Sequence, residues 1–298
     1  MSGTVTKSSE RFWALSLVGI TALWGWSFVA IHDALSTLSA SAFNSYRFLV
    51  ASFVLVVIVI PVLGKFTKQE FFGGLYAGLA LFCAFAFQTA GLKYTTASNA
   101  AFITGLAVVF TPLFSFLILR LNPTRQQLIG AVIATIGLGL LTIKGLSVHF
   151  GDILVLGCAA SFALHIVILS RASKSAHSGR ITLVQILVVG LASLAWSVMF
   201  GEFSLPKTGS SIWAIVIIGV LGTTLGFFVQ TKAQISSPPS RIALIIVLEP
   251  VFGGLFGYFL AGDRLSGLNL IGAMLIILGM VVTEYRFSRA TARPEIAN

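Results

Sequence analysis

Apolar runs of about twenty residues alternate with short polar breaks along almost the whole chain. Ten can be traced, at roughly 12–32, 40–63, 70–91, 98–119, 125–144, 152–170, 181–201, 211–231, 240–261 and 267–286. Each is long enough to cross a bilayer core as a helix, which takes about 20 residues. The breaks carry helix-start signals. Thr124-Arg125-Gln126-Gln127 has a capping-box spacing. Ser237-Pro238-Pro239 puts proline in a first turn, and Ser266 is placed to cap the last run. The pattern predicts an all-α membrane protein with ten transmembrane helices. The first run exceeds a signal-peptide core and no small-residue cleavage site follows it, so it is expected to be retained. Residues 1–10 and 288–298 read as polar tails.

The runs fall into two similar sets of five. Residues 97–112 read ASNAAFITGLAVVFTP and 235–250 read ISSPPSRIALIIVLEP, aligning Thr111-Pro112 with Glu249-Pro250. Downstream, Gly130 and Gly137 match Gly272 and Gly279 at the same seven-residue spacing. Five is odd, so the second half, 148–298, is expected to insert upside down relative to the first, 1–147. Inverted repeats of this kind build many secondary transporters. Gly74/Gly78, Gly222/Gly226 and Gly253/Gly257 supply the small-residue spacing that lets membrane helices approach closely.

Composition changes the picture in one respect. The chain has 298 residues, 57% hydrophobic and 9% charged, which excludes a water-soluble globule and a disordered chain. The formal charge of +10 might point to nucleic acid, but the basic residues are scattered singly, with no basic stripe and interleaved aromatics. With a cytoplasmic N-terminus, fourteen Lys and Arg fall on the inner side, four (Lys93, Lys144, Lys207, Arg264) outside, and Arg47 inside a span. The excess is a topology signal, giving a multi-pass protein of a bacterial inner membrane with both termini cytoplasmic. No nucleotide, dinucleotide or zinc-protease motif occurs, and Cys83 and Cys158 make neither a disulfide framework nor a metal set. No cofactor or metal is expected. The expected partners are a small-molecule substrate and the lipid bilayer, with a monomer as the working state.

Trp24-Gly25 with Phe28, Arg47, the Asn99-to-Pro112 segment and Glu249-Pro250, together with the five-plus-five repeat, resemble the drug/metabolite transporter superfamily, in its branch with two EamA repeats. Within that branch the chain looks most like bacterial aromatic amino acid exporters of the YddG type. The resemblance covers roughly residues 12–286 and implies export of aromatic and other hydrophobic amino acids. Alternating access would proceed around a central cavity lined by the first, third, fourth, sixth, eighth and ninth helices. Other carriers remain open. A phosphorylated-metabolite carrier needs a basic cluster, and only Arg47 is buried. A multidrug cation pump would want an acid in the first helix, which has none at 12–32. A channel is disfavoured by the scarcity of polar groups. An intramembrane enzyme is disfavoured by the single deep acid.

Polar groups within spans are costly and therefore informative. Glu249 is the one carboxylate deep in a span, beside the helix-breaking Pro250. Arg47 lies about two turns into its helix and could snorkel, pair with Glu249 or meet a substrate carboxylate. With Pro112 these form the expected gating or coupling set. The expected substrate contacts are Trp24 and Ser27 on one face, Gln88, Asn99 and Phe102, His165, and Phe227 with Gln230. Asn99, Phe102, Leu106 and Phe110 are read as one face. His165 reads equally as a hydrogen-bonded core residue.

Overall fold

The computed structural model describes residues 7–35, 37–62, 64–92, 94–95, 97–142, 150–174, 176–261 and 266–290, and no strand occurs among them. Each apolar run is helical. The first five correspond to α1 (Lys7–Leu35), α2 (Ala40–Val59, ending in a 3₁₀ turn), α3 (Lys68–Leu92), the pair α4 (Ala97–Gly105) and α5 (Ala107–Leu119), and α6 (Arg125–Thr142). Next come α7 (Phe150–Ser173) and α8 (Ser178–Met199). The eighth run is α9 (Gly209–Ile217) and α10 (Gly226–Ser236), joined by the π-helical stretch Ile218–Leu225. The ninth is α11 (Pro239–Ile246) and α12 (Glu249–Phe256), and the last is α13 (Gly267–Ala290). Among the described residues, seven helical runs are long and apolar enough to cross a membrane, and α6 and α13 contribute the shorter apolar stretches Arg125–Leu141 and Gly267–Thr283. Helix length alone therefore does not fix ten crossings.

The start signals act as the sequence suggests. Thr124 N–H donates to Gln127 Oε1 (2.8 Å) and Gln127 N–H to Thr124 Oγ1 (3.2 Å). Ser266 and Asn269 exchange the equivalent bonds at the head of α13, and α11 opens on Pro239. An unforeseen box, Thr67 with Glu70, opens α3. Hydroxyls inside the helices, such as Thr21, Ser52, Thr111 and Ser115, donate to the carbonyl four residues back, so they are satisfied without leaving their own helix.

Two cores organise the bundle. One joins α1, α6, α11 and α13 around Leu17, Leu138, Ile242 and Ile276. The other joins α2, α3, α8 and α10 around Phe48, Leu81, Ile186 and Phe227. Large apolar side chains such as Phe53, Tyr76, Trp213 and Phe259 are exposed, which suits a surface facing hydrocarbon.

The α6–α13 contact carries the geometry of the repeat. A methyl built on Gly130 would lie 2.6 Å from the Gly279 carbonyl oxygen, and one on Gly137 would lie 2.6 Å from that of Gly272. The first glycine of one helix thus meets the second of the other, twice. That crossed pattern requires antiparallel helices, since parallel ones would pair first with first. Bare backbones at this distance gain dispersion and weak Cα–H···O contacts that any side chain would prevent.

The fourth and ninth runs are both interrupted. At Leu106 the backbone tightens, its N–H bonding to Ile103 C=O, and α5 begins at the next residue. At Val247–Leu248 the same tightening occurs, Leu248 N–H bonding to Ile245 C=O, and Glu249-Pro250 then start α12. The turn at Leu106 thus separates the α4 positions 99 and 102 from Phe110 on α5.

Candidate functional site

Two side-chain systems meet inside the bundle, one aromatic and one polar. The aromatic system is centred on Phe227 of α10. Its ring lies 5.7 Å from Trp24, 5.8 Å from Phe48 and 6.1 Å from the His165 imidazole, centre to centre. Phe48 continues to Phe85 at 5.5 Å, and Phe85 to Phe162 at 5.6 Å. These rings come from α1, α2, α3, α7 and α10. They thus draw on the first, third, sixth and eighth of the helices expected to line a central cavity, and on the second as well.

Trp24 is held from both sides. Its indole N–H donates to Gly222 C=O at 2.7 Å, and its ring lies where a Gly226 side chain would be, about 3 Å from a Cβ there. Both glycines flank or belong to the π-helical stretch, where altered spacing leaves a carbonyl open to an outside donor. Thr224 in the same stretch donates to Ala51 C=O (3.0 Å), tying it to α2. Ser27 donates to Trp24 C=O (2.7 Å) and so serves its own helix.

The polar system runs from α7 through α8 to α10. His165 is 1% exposed, and its Nε2 lies 2.9 Å from Gln185 Oε1. Gln185 Nε2 donates to Thr231 Oγ1 (3.2 Å), Thr182 donates to the same oxygen (2.9 Å), and Thr231 donates to Phe227 C=O (2.7 Å). With the amide nitrogen turned to Thr231, Oε1 is the atom that faces the imidazole. Farther along, Gln234 donates to Ile166 C=O and Ser170 Oγ (2.6 and 2.7 Å). Sequence reasoning finds His165 but misses Gln185, although an amide in an apolar run is the same costly signal.

Arg47 does not snorkel. Its guanidinium carbon lies 4.8 Å from the ring centre of Phe48, 5.0 Å from Phe85 and 5.9 Å from Phe43. Its Nε is shut off from solvent without a hydrogen bond, while the residue as a whole is only half-buried.

A cavity of about 100 Å³ opens between α2, α3 and α8. Ser41, Asn44, Thr89, Ser193 and Glu202 give it polar groups, and Phe82, Phe85, Trp196 and Phe200 give it aromatic walls. Phe85 is thus shared between the cavity and the Arg47 cage. The mouth is braced by Glu202, which accepts from Ser41 Oγ at 2.6 Å. The opposite end of the bundle is tied by charges: Arg241 bonds Glu10 (2.5 Å), and Glu70 accepts from His177 N–H (2.9 Å) and Arg180 (3.4 Å).

The remaining candidates are less concentrated. Gln88 donates to Thr104 at 3.4 Å, and Phe102 packs on the α1–α11 core. Gln230 is buried on α10 beside Thr231, and Pro112 is buried in α5. The side chains of Asn99 and Phe28 lie outside the described residues, as do Lys93, Lys144 and Arg264 of the charge argument.

The profile of the EamA-like transporter family matches residues 11–143 and again 149–285. An uncharacterized transporter of Archaeoglobus fulgidus is 30% identical over 93% of this chain and 87% of its own length. The uncharacterized transporter YyaM of Bacillus subtilis is 28% identical, over 91% and 92% respectively. A solved crystal structure shares the fold with a TM-score of 0.79 at 16% identity, covering 94% of this chain and 99% of that one.

Proposed function

The chain belongs to the EamA-like transporter family, and from that footing we propose that it is a secondary transporter exporting small organic solutes, aromatic and other hydrophobic amino acids first among them. It is a multi-pass membrane protein of transporter kind rather than an enzyme. In this reading ten helices cross the membrane as two inverted halves, 1–147 and 148–298. Both termini are cytoplasmic in a bacterial inner membrane, and a monomer is the working unit.

The observation that carries the reading is the cavity between α2, α3 and α8. Four aromatic rings beside hydroxyl and amide groups and the single carboxylate of Glu202 suit an amphipathic solute with a planar apolar part better than a bare ion. Under the proposed orientation the mouth faces outward and the charged ties at Glu10–Arg241 and Glu70–Arg180 close the inward end. Alternating access then requires these ties to open and the outer mouth to shut. The packed rings around Phe227 form the barrier between the two ends. Export as the direction rests on the family resemblance.

Proteoliposome flux tests this. Labelled tryptophan and phenylalanine are expected to show saturable counterflow, with threonine weaker and a cationic dye absent. Ala86→Trp, which fills the cavity from α3, should abolish it. Absence of amino acid flux, or flux unchanged by Ala86→Trp, would overturn the reading.

A further inference from the structure

Among the described residues that line the cavity between α2, α3 and α8, Glu202 alone carries a charge. Both halves of the chain fix it there. At Gly201 the backbone takes a φ of 65°, which glycine adopts without strain, and the chain turns at the end of α8. Glu202 N–H then donates to Ser197 C=O (2.8 Å), anchoring the residue to α8. From the first half, Ser39 donates to the Glu202 carbonyl (2.9 Å) and Ser41 to its Oε2 (2.6 Å). Ser39 is itself the cap of α2, accepting from Ala42 N–H (3.1 Å). Backbone and side chain of Glu202 are both held, yet the residue lines the cavity and is only half-buried. A carboxylate offers about four lone-pair sites, so the bond from Ser41 leaves it able to accept from a ligand as well. Rings stand beside it in the same lining. Trp196 lies 4.5 Å from Phe200 and 6.2 Å from Phe82, centre to centre. A carboxylate next to aromatic faces attracts a cation by its charge and by the ring quadrupoles together. The other polar side chains of the lining, Ser41, Asn44, Thr89 and Ser193, are neutral.

We propose that Glu202 receives the primary ammonium of the substrate, with Trp196 and Phe200 as the aromatic wall beside that charge. This rests on the amino acid reading above and specifies which end of the solute is recognised by charge. The ammonium donates to Glu202, and the solute carboxylate is left to the neutral donors Asn44, Thr89 and Ser193. An ion pair adds a Coulomb attraction that a hydroxyl or amide donor lacks. Selection therefore falls on the amine: removing it deletes the one pairing of opposite charges, whereas removing the carboxylate deletes contacts to neutral groups. A dye cation whose nitrogen carries no hydrogen cannot make the bond to Glu202, so an ammonium site of this kind does not admit cations at large.

Competition against labelled phenylalanine in proteoliposomes tests it, using two one-charge analogues: phenethylamine, without the carboxylate, and 3-phenylpropionate, without the amine. In the unmodified protein phenethylamine should compete at least about tenfold more strongly than 3-phenylpropionate, the scale of one hydrogen bond to a charged group. Glu202→Gln keeps the length of the side chain and an oxygen for Ser41 to bond. There phenylalanine and phenethylamine should each weaken about tenfold while 3-phenylpropionate changes little, so the two analogues come within about threefold of each other. A residue that only braces the mouth would weaken all three compounds alike and leave their ranking as it was. If 3-phenylpropionate competes as well as phenethylamine in the unmodified protein, or the ranking survives in Glu202→Gln, the ammonium site is overturned while amino acid transport stands. If the unmodified protein moves no amino acid, both readings fall together. Should the variant not accumulate, the analogue series on the unmodified protein decides alone.

Discussion

The fourth and ninth helical runs occupy matching places in the two halves, and their difference separates frame from chemistry. Each is interrupted by a tightened turn ahead of a proline. In the first half the residue before the proline is Thr111, fully buried, its hydroxyl spent on the Ala107 carbonyl. In the second half it is Glu249, half-buried in the first turn of α12. The same local architecture thus holds a hydroxyl that needs nothing further and a carboxylate with no ion pair among the described residues. Duplicated structure sets where the backbone bends, and side-chain divergence in one copy changes the chemistry offered there.

The largest expected effect comes from making the second run resemble the first. Glu249→Thr should lower phenylalanine flux at least about tenfold, the scale of losing one hydrogen bond to a charged group. Thr111→Val should leave flux within about twofold. Equal losses in both would erase the distinction. Next is damage to the frame alone. Gly137→Val drives a side chain into the Gly272 carbonyl and the Ile276 amide, at 2.6 and 2.8 Å from its Cβ. It should cost about 1–3 kcal/mol of stability in detergent, with the ranking of phenylalanine over threonine kept. A changed ranking would mean that frame and site are not separable. The smallest is Trp24→Phe, which keeps a ring against Phe227 but removes the bond to Gly222 C=O. About 1 kcal/mol should be lost, and a thermal unfolding series would register it.

What could be foreseen from sequence was what is local. The Thr124–Gln127 box, the Pro239 start and the Ser266 cap depend on residues within one turn, so their spacing suffices. The glycine pairs of α6 and α13 were readable because close backbone approach demands a particular residue type at a particular interval. The turn at Leu106 was not readable, since no glycine or proline marks it and Pro112 lies six residues on. Nor was the cage around Arg47, whose rings come from two helices brought together by packing. Trp196 reads in sequence only as another aromatic near a span end. Its place in the cavity wall depends on how α8 is rotated against α3, which no spacing within α8 determines. The pairing of His165 with Gln185 joins positions on separate helices for the same reason.

The crossed glycines of α6 and α13 also bear on ancestry. A contact in which one position meets a second, and that second position's counterpart meets the first, is isologous: it is the form taken by two copies of one object about a twofold axis. Nothing in it requires the two helices to belong to one polypeptide. A single five-helix ancestor inserted in both orientations could close the same joint as a homodimer. Fusion would then have freed one copy to acquire Glu249 while the other kept its threonine.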